Sequence, residues 1–367
     1  MTNKKTTLFQ ANGNFHCSAT TNSVQPVDHA LLPSTIDVAV LLLFFNRPAL
    51  FCQVFEQVRA ARPSRLFLYQ DGPRDEQDVP GIEACREIAS QVDWACDVRR
   101  NYQQHNQGCF ASGFRAHQWA FSLADKVMVL EDDVVPSLSF FRFCKEMLDR
   151  YETDLRVMMI AGYNVDEQST DIAADYFFTS VFSIWGWASW RRVAQLWDSQ
   201  YSFMKDAYNL NQLKALIKQR RYRPDLMRML KEHSQAGVEN FETIYWAAML
   251  LNSGLTLMPA KNLITNIGIT PDSTHFMASL KTTPRRLRRV YTMRRLELDF
   301  PLHHPKTIVD HIAYKQRVYK VFAWGHPLTK FRYSVEELFL NLRYGNFRTI
   351  GKAMLRRLKK AVAHFMR

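Results

Sequence analysis

The apolar residues fall in short blocks whose period changes along the chain. Residues 38–45 form an unbroken apolar run, as expected for a strand covered on both faces. The run stops at Asn46-Arg47-Pro48, and Pro48 suits the first turn of a helix. Leu50, Phe51, Val54, Phe55 and Val58 then recur at helical spacing until Pro63. A second apolar run, 65–70, is stopped by Asp71-Gly72-Pro73. The pattern next predicts a helix at about 81–92 and a strand at 94–99. A loop, 101–108, leads to a helix at about 111–123 and an apolar strand at 126–130. Behind Pro136 lie a Phe-rich helix at 137–151 and a strand at 156–161. This alternation with short connections predicts an α/β fold, with a mostly parallel central sheet flanked by helices.

Further along, the pattern is less regular. The stretch 175–197 is dense in aromatic residues, 201–252 is helical in period, and 254–259 and 262–269 are short apolar segments. Residues 1–35 are polar and read as a loose leader. The expected organisation is therefore a leader at 1–35, a catalytic domain at 36–280 and a helical C-terminal extension at 281–367.

Charge sharpens that division. The 367 residues carry a net charge of +13, but residues 281–367 alone carry +16, leaving −3 for residues 1–280. A basic total would suggest nucleic acid as a partner; the uneven split removes that inference from the body, and no nucleic-acid motif is present. No apolar run approaches the ~20 residues of a membrane-spanning helix. The first 30 residues lack the apolar core of a secretion signal. The six cysteines are scattered without a Cys-x-x-Cys pair, which argues against a disulfide scaffold or zinc site and for thiols in a reducing cytosol.

The most informative chemistry is Glu131-Asp132-Asp133, placed directly after the apolar strand 126–130. Adjacent carboxylates at the end of a buried strand repel one another unless something cationic is bound. In open α/β sheets ligands sit beyond the carboxyl ends of the strands, where this triplet falls. Alternation along a strand would put Glu131 and Asp133 on one face and Asp132 on the other. A hard divalent cation takes oxygen ligands and commonly shares them with substrate phosphates. The same residues could equally be a solvated turn before the helix that begins at Pro136 and Ser137.

With these residues in hand, the chain resembles nucleotide-sugar-dependent glycosyltransferases of the GT-A fold. The resemblance rests on Val38-Ala39-Val40-Leu41 followed by Asn46-Arg47-Pro48, then Tyr69-Gln70-Asp71-Gly72, then Val129-Leu130-Glu131-Asp132-Asp133. Within that fold the order is similar to the N-acetylglucosaminyltransferase I group and to bacterial glycosyltransferase family 2 or hemolytic-protein-like proteins. It covers about 36–275. The motifs are short, and their order and spacing make the likeness.

The resemblance implies a metal-dependent, inverting transfer of a sugar from a nucleoside diphosphate donor, a UDP-sugar, to a glycan or lipid-linked acceptor in surface polysaccharide assembly. It implies that Asp133 holds Mn²⁺ or Mg²⁺, with His275 as a further metal ligand. Asp132 and Glu131 would meet the ribose or donor sugar, Asp71 the uracil, and Arg47 nucleotide or phosphate. From the residues alone, Asp71-Gly72-Pro73 is equally a turn and Arg47 a solvated loop charge. An inverting reaction needs a carboxylate to take the acceptor's proton. Glu242 and Glu239 are the candidates, with Glu242 nearer Trp246. Either could instead simply stabilise a helix start. Trp187, within Trp185-Gly186-Trp187-Ala188-Ser189-Trp190, would form an aromatic wall beside a sugar, or alternatively fill the core. Two other functions compete: a sugar-phosphate nucleotidyltransferase, which expects a Gly-rich loop where Asn46-Arg47-Pro48 stands, and a non-catalytic membrane adaptor with a degenerate site.

At the C-terminus Ile350, Met354, Leu358, Val362 and Phe365 recur at helical spacing among Lys352, Arg356, Lys359 and Lys360. A basic amphipathic helix of this kind fits an anionic membrane surface, contacted through residues 330–367, or a solvated face. The resulting expectation is a cytoplasmic protein, peripheral on the inner face of a membrane.

Overall fold

The computed structural model describes residues 31–269 and 280–351. Strand β1 (Ile36–Phe44) is followed by helix α1 (Pro48–Ala61), strand β2 (Pro63–Gln70), helix α2 (Val79–Ser90), strand β3 (Asp97–Tyr102), helix α3 (Cys109–Leu123) and strand β4 (Lys126–Glu131). Then come β5 (Val134–Pro136), α4 (Leu138–Arg150), β6 (Val157–Ala161), β7 (Tyr176–Thr179), β8 (Trp187–Trp190) and α5 (Arg191–Ala194). Helices α6 (Ala207–Leu216), α7 (Arg223–Ala236) and α8 (Phe241–Leu251) lead to β9 (Leu255–Pro259) and β10 (Ile264–Asn266). The C-terminal part holds α9 (Arg285–Tyr291), α10 (Ile312–Val321) and α11 (Pro327–Arg343).

Eight strands form one sheet in the order β3-β2-β1-β4-β8-β6-β9-β7, and β5 pairs with β10 in a small antiparallel ribbon. β3, β2, β1 and β4 are mutually parallel. β8 runs antiparallel between β4 and β6, and β7 antiparallel on β9. The expected mostly parallel α/β sheet is therefore found, with two reversed strands. Those two were not visible in the aromatic stretch, because both are four-residue strands buried along their whole length and show no alternation.

Local chemistry explains the first units. β1 is buried on both faces from Val38 to Leu42. Pro48 opens α1, which turns Phe51, Val54, Phe55 and Val58 into the core. Burying each such side chain stabilises the fold by roughly 1.5–3 kcal/mol. The helix ends at Arg62 in the left-handed region (φ 47°), just before Pro63.

The basic C-terminal segment is not an appendage to this body. Val290, Met293, Leu298, Leu302, Tyr314 and Val318 belong to the same buried core as β1 and β4. Glu297 accepts from the backbone N–H of Leu138 (3.2 Å) and Ser139 (2.8 Å), placing a carboxylate at the N-terminus of α4. Arg317 pairs with Asp166 and Asp171 at 2.7 and 2.8 Å. The packing thus continues across residue 280. Among the described residues no helix is long and apolar enough to cross a membrane.

Candidate functional site

Because β2, β1 and β4 are parallel, their carboxyl ends meet at one edge of the sheet. The chain winds outward from β1 through β2 to β3, and then returns to lay β4 on the other side of β1. The gap between the ends of β1 and β4 is the point where strand order reverses, the usual ligand crevice of such sheets. Arg47, three residues beyond β1, and Asp132 and Asp133, just beyond β4, meet across that gap.

Arg47 Nη2 bonds Asp132 Oδ1 and lies 2.9 Å from Asp133 Oδ2. The Phe45 backbone N–H also donates to Asp132, at 3.3 Å. Alternation does not survive here. The chain leaves the extended conformation after Glu131, so Asp132 and Asp133 converge on one cation instead of pointing apart. Glu131 makes no ion pair with Arg47 but lies within electrostatic reach of it, of both aspartates, of Glu242 and of Cys109. Burial and then the charge of Asp133, followed by Glu242 and Asp132, push the Glu131 carboxyl well above the usual range. Burial pushes Asp132 up as well, against the pull of Arg47. One guanidinium therefore pairs with two carboxylates while a third stands near, and the crevice favours further positive charge.

Asp133 shows where that charge would go. Its Oδ1 is buried and has no hydrogen-bond partner, although Oδ2 is held by Arg47. Gly268 packs directly on this carboxylate: a Cβ there would overlap Asp133 Oδ2. The backbone N–H of Ile267 donates to the Asp133 carbonyl at 2.8 Å, fixing the approach. No group of three or more His, Cys, Asp or Glu side chains forms a metal cluster among the described residues. A divalent cation bound through one or two carboxylates and completed by substrate phosphates needs no such cluster, so the residues present fit one. Sequence reasoning passed over Gly268; its only signal was a glycine in the segment Asn266-Ile267-Gly268-Ile269.

Asp71 lies at the same edge, after β2, and is buried. Its Oδ1 accepts from the backbone N–H of Gly72 (2.9 Å) and Gln107 (2.8 Å), and its Oδ2 from Gly108 (3.1 Å). The side chain thus ties the loop before α3 to the end of β2. Gly108, at φ 80°, supplies the turn into α3 that this contact needs.

The two candidate bases separate. Glu242 sits in the first turn of α8, whose N-cap Asn240 accepts from Thr243 N–H at 3.1 Å. Its charge is felt by Glu131 and by Cys109 at the start of α3. Glu239 instead faces Arg115 of α3, at 3.7 Å.

Trp187 requires a correction. It is fully buried, 0% exposed, against His117, Phe121 and Tyr245. Its position in a central strand between β4 and β6 turns the ring into the core, so it forms no cleft wall. Trp185, two residues earlier, lines an aromatic cavity of about 140 Å³ with Tyr163, Tyr291, Tyr314 and Trp324. His275 lies outside the described residues.

No protein-family profile matches the chain, and no curated protein sequence does. Among solved structures, the mannosyltransferase PcManGT of Pyrobaculum calidifontis, in complex with GDP-Man and Mn²⁺, shares 11% identity at a TM-score of 0.30. The match covers 47% of this chain and 49% of that one, so the chain spans about half its length. Mouse xyloside xylosyltransferase 1 shares 11% at a TM-score of 0.33, covering 59% and 81% of the two chains. The inositol-1-phosphate CTP transferase of T. maritima shares 10% at 0.28, covering 44% and 74%. Likenesses this partial assign no residue here.

Proposed function

We propose that the chain is a metal-dependent, inverting glycosyltransferase of the GT-A type, using a nucleoside diphosphate sugar, specifically a UDP-sugar, and a glycan or lipid-linked acceptor in polysaccharide assembly. The observation that carries this reading is the buried, unpartnered Oδ1 of Asp133 at the strand-order reversal, beside Arg47. That arrangement suits a cation-bridged diphosphate. Bound there, Mn²⁺ or Mg²⁺ would act as a Lewis acid on the leaving diphosphate.

The chain's own residues do the rest. Asp133 would hold the cation, while Arg47 keeps Asp133 Oδ2 and meets negative charge as it develops on the diphosphate. Glu242 removes the proton from the acceptor hydroxyl; that oxygen bonds to the anomeric carbon as the bond from that carbon to the diphosphate oxygen breaks. Asp71 holds the loop 105–108 in place at the edge of the nucleotide pocket. The nucleotidyltransferase alternative lacks support from the turn after β1, where Phe45-Asn46-Arg47 enters α1 without a Gly-rich loop. A cytoplasmic, membrane-peripheral enzyme is part of the same proposal.

The test is release of UDP from a panel of UDP-sugars with Mn²⁺ and a membrane extract as the source of acceptor. Glu242→Gln should abolish release while leaving UDP binding intact. Undiminished release by that variant would remove Glu242 as the base, and binding of no nucleotide sugar would overturn the reading as a whole.

A further inference from the structure

Helix α11 presents a face that nothing in the described structure covers. Leu328, Phe331, Val335, Leu338, Phe339 and Leu342 are all exposed, from 47% for Leu338 to 79% for Leu328. At 100° per residue these six positions fall within an arc of about 100°, a continuous apolar stripe. The opposite side is the one that packs: Asn341 is buried, and the Tyr333 hydroxyl donates to the Val321 carbonyl at 2.9 Å. Tyr344 and Phe347 extend the exposed apolar surface past the helix end. Monomeric proteins seldom expose large contiguous apolar patches without a use for them.

The charges around the stripe select its occupant. Arg332 and Arg343 flank one edge, with Lys330 on the same helix and Arg348 just beyond. Glu336 accepts from the Arg285 backbone N–H at 2.7 Å, which brings the start of α9 against α11. Helix α9 opens with Arg285 and Arg286, both exposed, at this contact, whereas Arg288 turns back to the Thr283 carbonyl and Arg289 towards Asp166 and Glu167. A second copy of the chain would set this basic surface against its equal. The last sixteen residues, 352–367, carry six basic and no acidic side chains, so they are repelled in the same way. An anionic bilayer complements both features, with apolar side chains entering the acyl boundary and Lys and Arg meeting the headgroups.

We infer that α11 is a membrane-docking helix, lying in the plane of an anionic lipid surface with its Leu328–Leu342 stripe inserted and Arg285, Arg286, Arg332 and Arg343 at headgroup level. This inference rests on the membrane-peripheral part of the proposed function, to which it gives a surface, and is independent of the transfer chemistry.

The experiment is flotation of the full chain with phosphatidylcholine vesicles and with vesicles containing about a third phosphatidylglycerol, at low and high salt. The comparison protein carries Phe331→Ser, Leu338→Ser and Phe339→Ser. These side chains are already exposed, so near-UV circular dichroism should show an unchanged fold. A second variant, Arg286→Ala with Arg332→Ala, tests the headgroup contact. The full chain should float with the anionic vesicles only and lose binding in high salt. The serine variant should bind at least tenfold more weakly, and the arginine variant should fall between. Equal binding by the serine variant would overturn the inference. So would a full chain that ignores vesicles while forming a dimer that the serine variant abolishes, since the stripe would then cover itself. So would a stripe that ignores vesicles and becomes protease-sensitive at 352–367 when substituted, since the tail would then be its partner.

Discussion

Replacing Arg47 with Ala should reveal how strongly the crevice depends on positive charge. In the native chain Arg47 is the cation that Asp132 and Asp133 share, and its side chain is only 26% exposed, against 5% for Asp132 and 13% for Asp133. Burial and mutual repulsion already disfavour ionised carboxylates here. Removing one partner of a fully buried ion pair costs about 3–5 kcal/mol. Because Arg47 is partly exposed and water can enter the space it leaves, we expect about 2–4 kcal/mol at pH 7.5.

Two conditions should return part of that loss. Without Arg47 the carboxyl groups hold their protons to a higher pH in the folded chain than in the unfolded one. The folded state then binds the extra proton, so the variant gains stability relative to wild type as pH falls from 7.5 towards 5. Millimolar Mn²⁺ should also help, by about 2.7 kcal/mol where it reaches a hundred times its dissociation constant. The assay is urea denaturation of both proteins at pH 7.5 and 5, with and without Mn²⁺. A variant as stable as wild type under every condition, and indifferent to Mn²⁺, would refute the reasoning.

Two further predictions concern the surroundings of the site. Gly268→Ala should turn the Asp133 carboxylate away from Arg47, at an overpacking cost of about 1–3 kcal/mol; calorimetry should show metal-dependent UDP binding weakened at least tenfold. His117 is enclosed by Trp187, Trp197 and Phe241, and burial pushes its pKa down to about 3. Below pH ~6.5 the unfolded chain protonates this residue and the folded chain does not, so stability falls on acidification by roughly 1.4 kcal/mol per pH unit. Between pH 7 and 5 that is about 2 kcal/mol, and His117→Phe should remove it from the difference between urea curves at the two pH values.

The first half of the fold was legible because β1, β2, β4 and the helices between them are long, regular and bounded by Pro48, Pro63, Gly72 and Pro136. The central acidic triplet was equally legible, since uncompensated carboxylates after a buried strand are rare. What local pattern could not supply was everything set by distant packing. Asp132 meets Arg47 because the chain turns after Glu131. Trp187 is buried because β8 inserts between β4 and β6. Glu297 caps α4 from more than 150 positions away. The charge division at residue 280 was real in the sequence but marks no break in packing. The apolar stripe expected at 350–365 lies almost entirely outside the described residues, whereas α11 carries a stripe of its own just before it.

The most direct measurement of the central claim is calorimetric titration of UDP into the full chain, with and without Mn²⁺, alongside Asp133→Asn. The account predicts that UDP binds at least tenfold more tightly with Mn²⁺, and that Asp133→Asn loses this gain while remaining folded. Equal UDP affinity with and without the metal in wild type, or a full metal effect in Asp133→Asn, would contradict it.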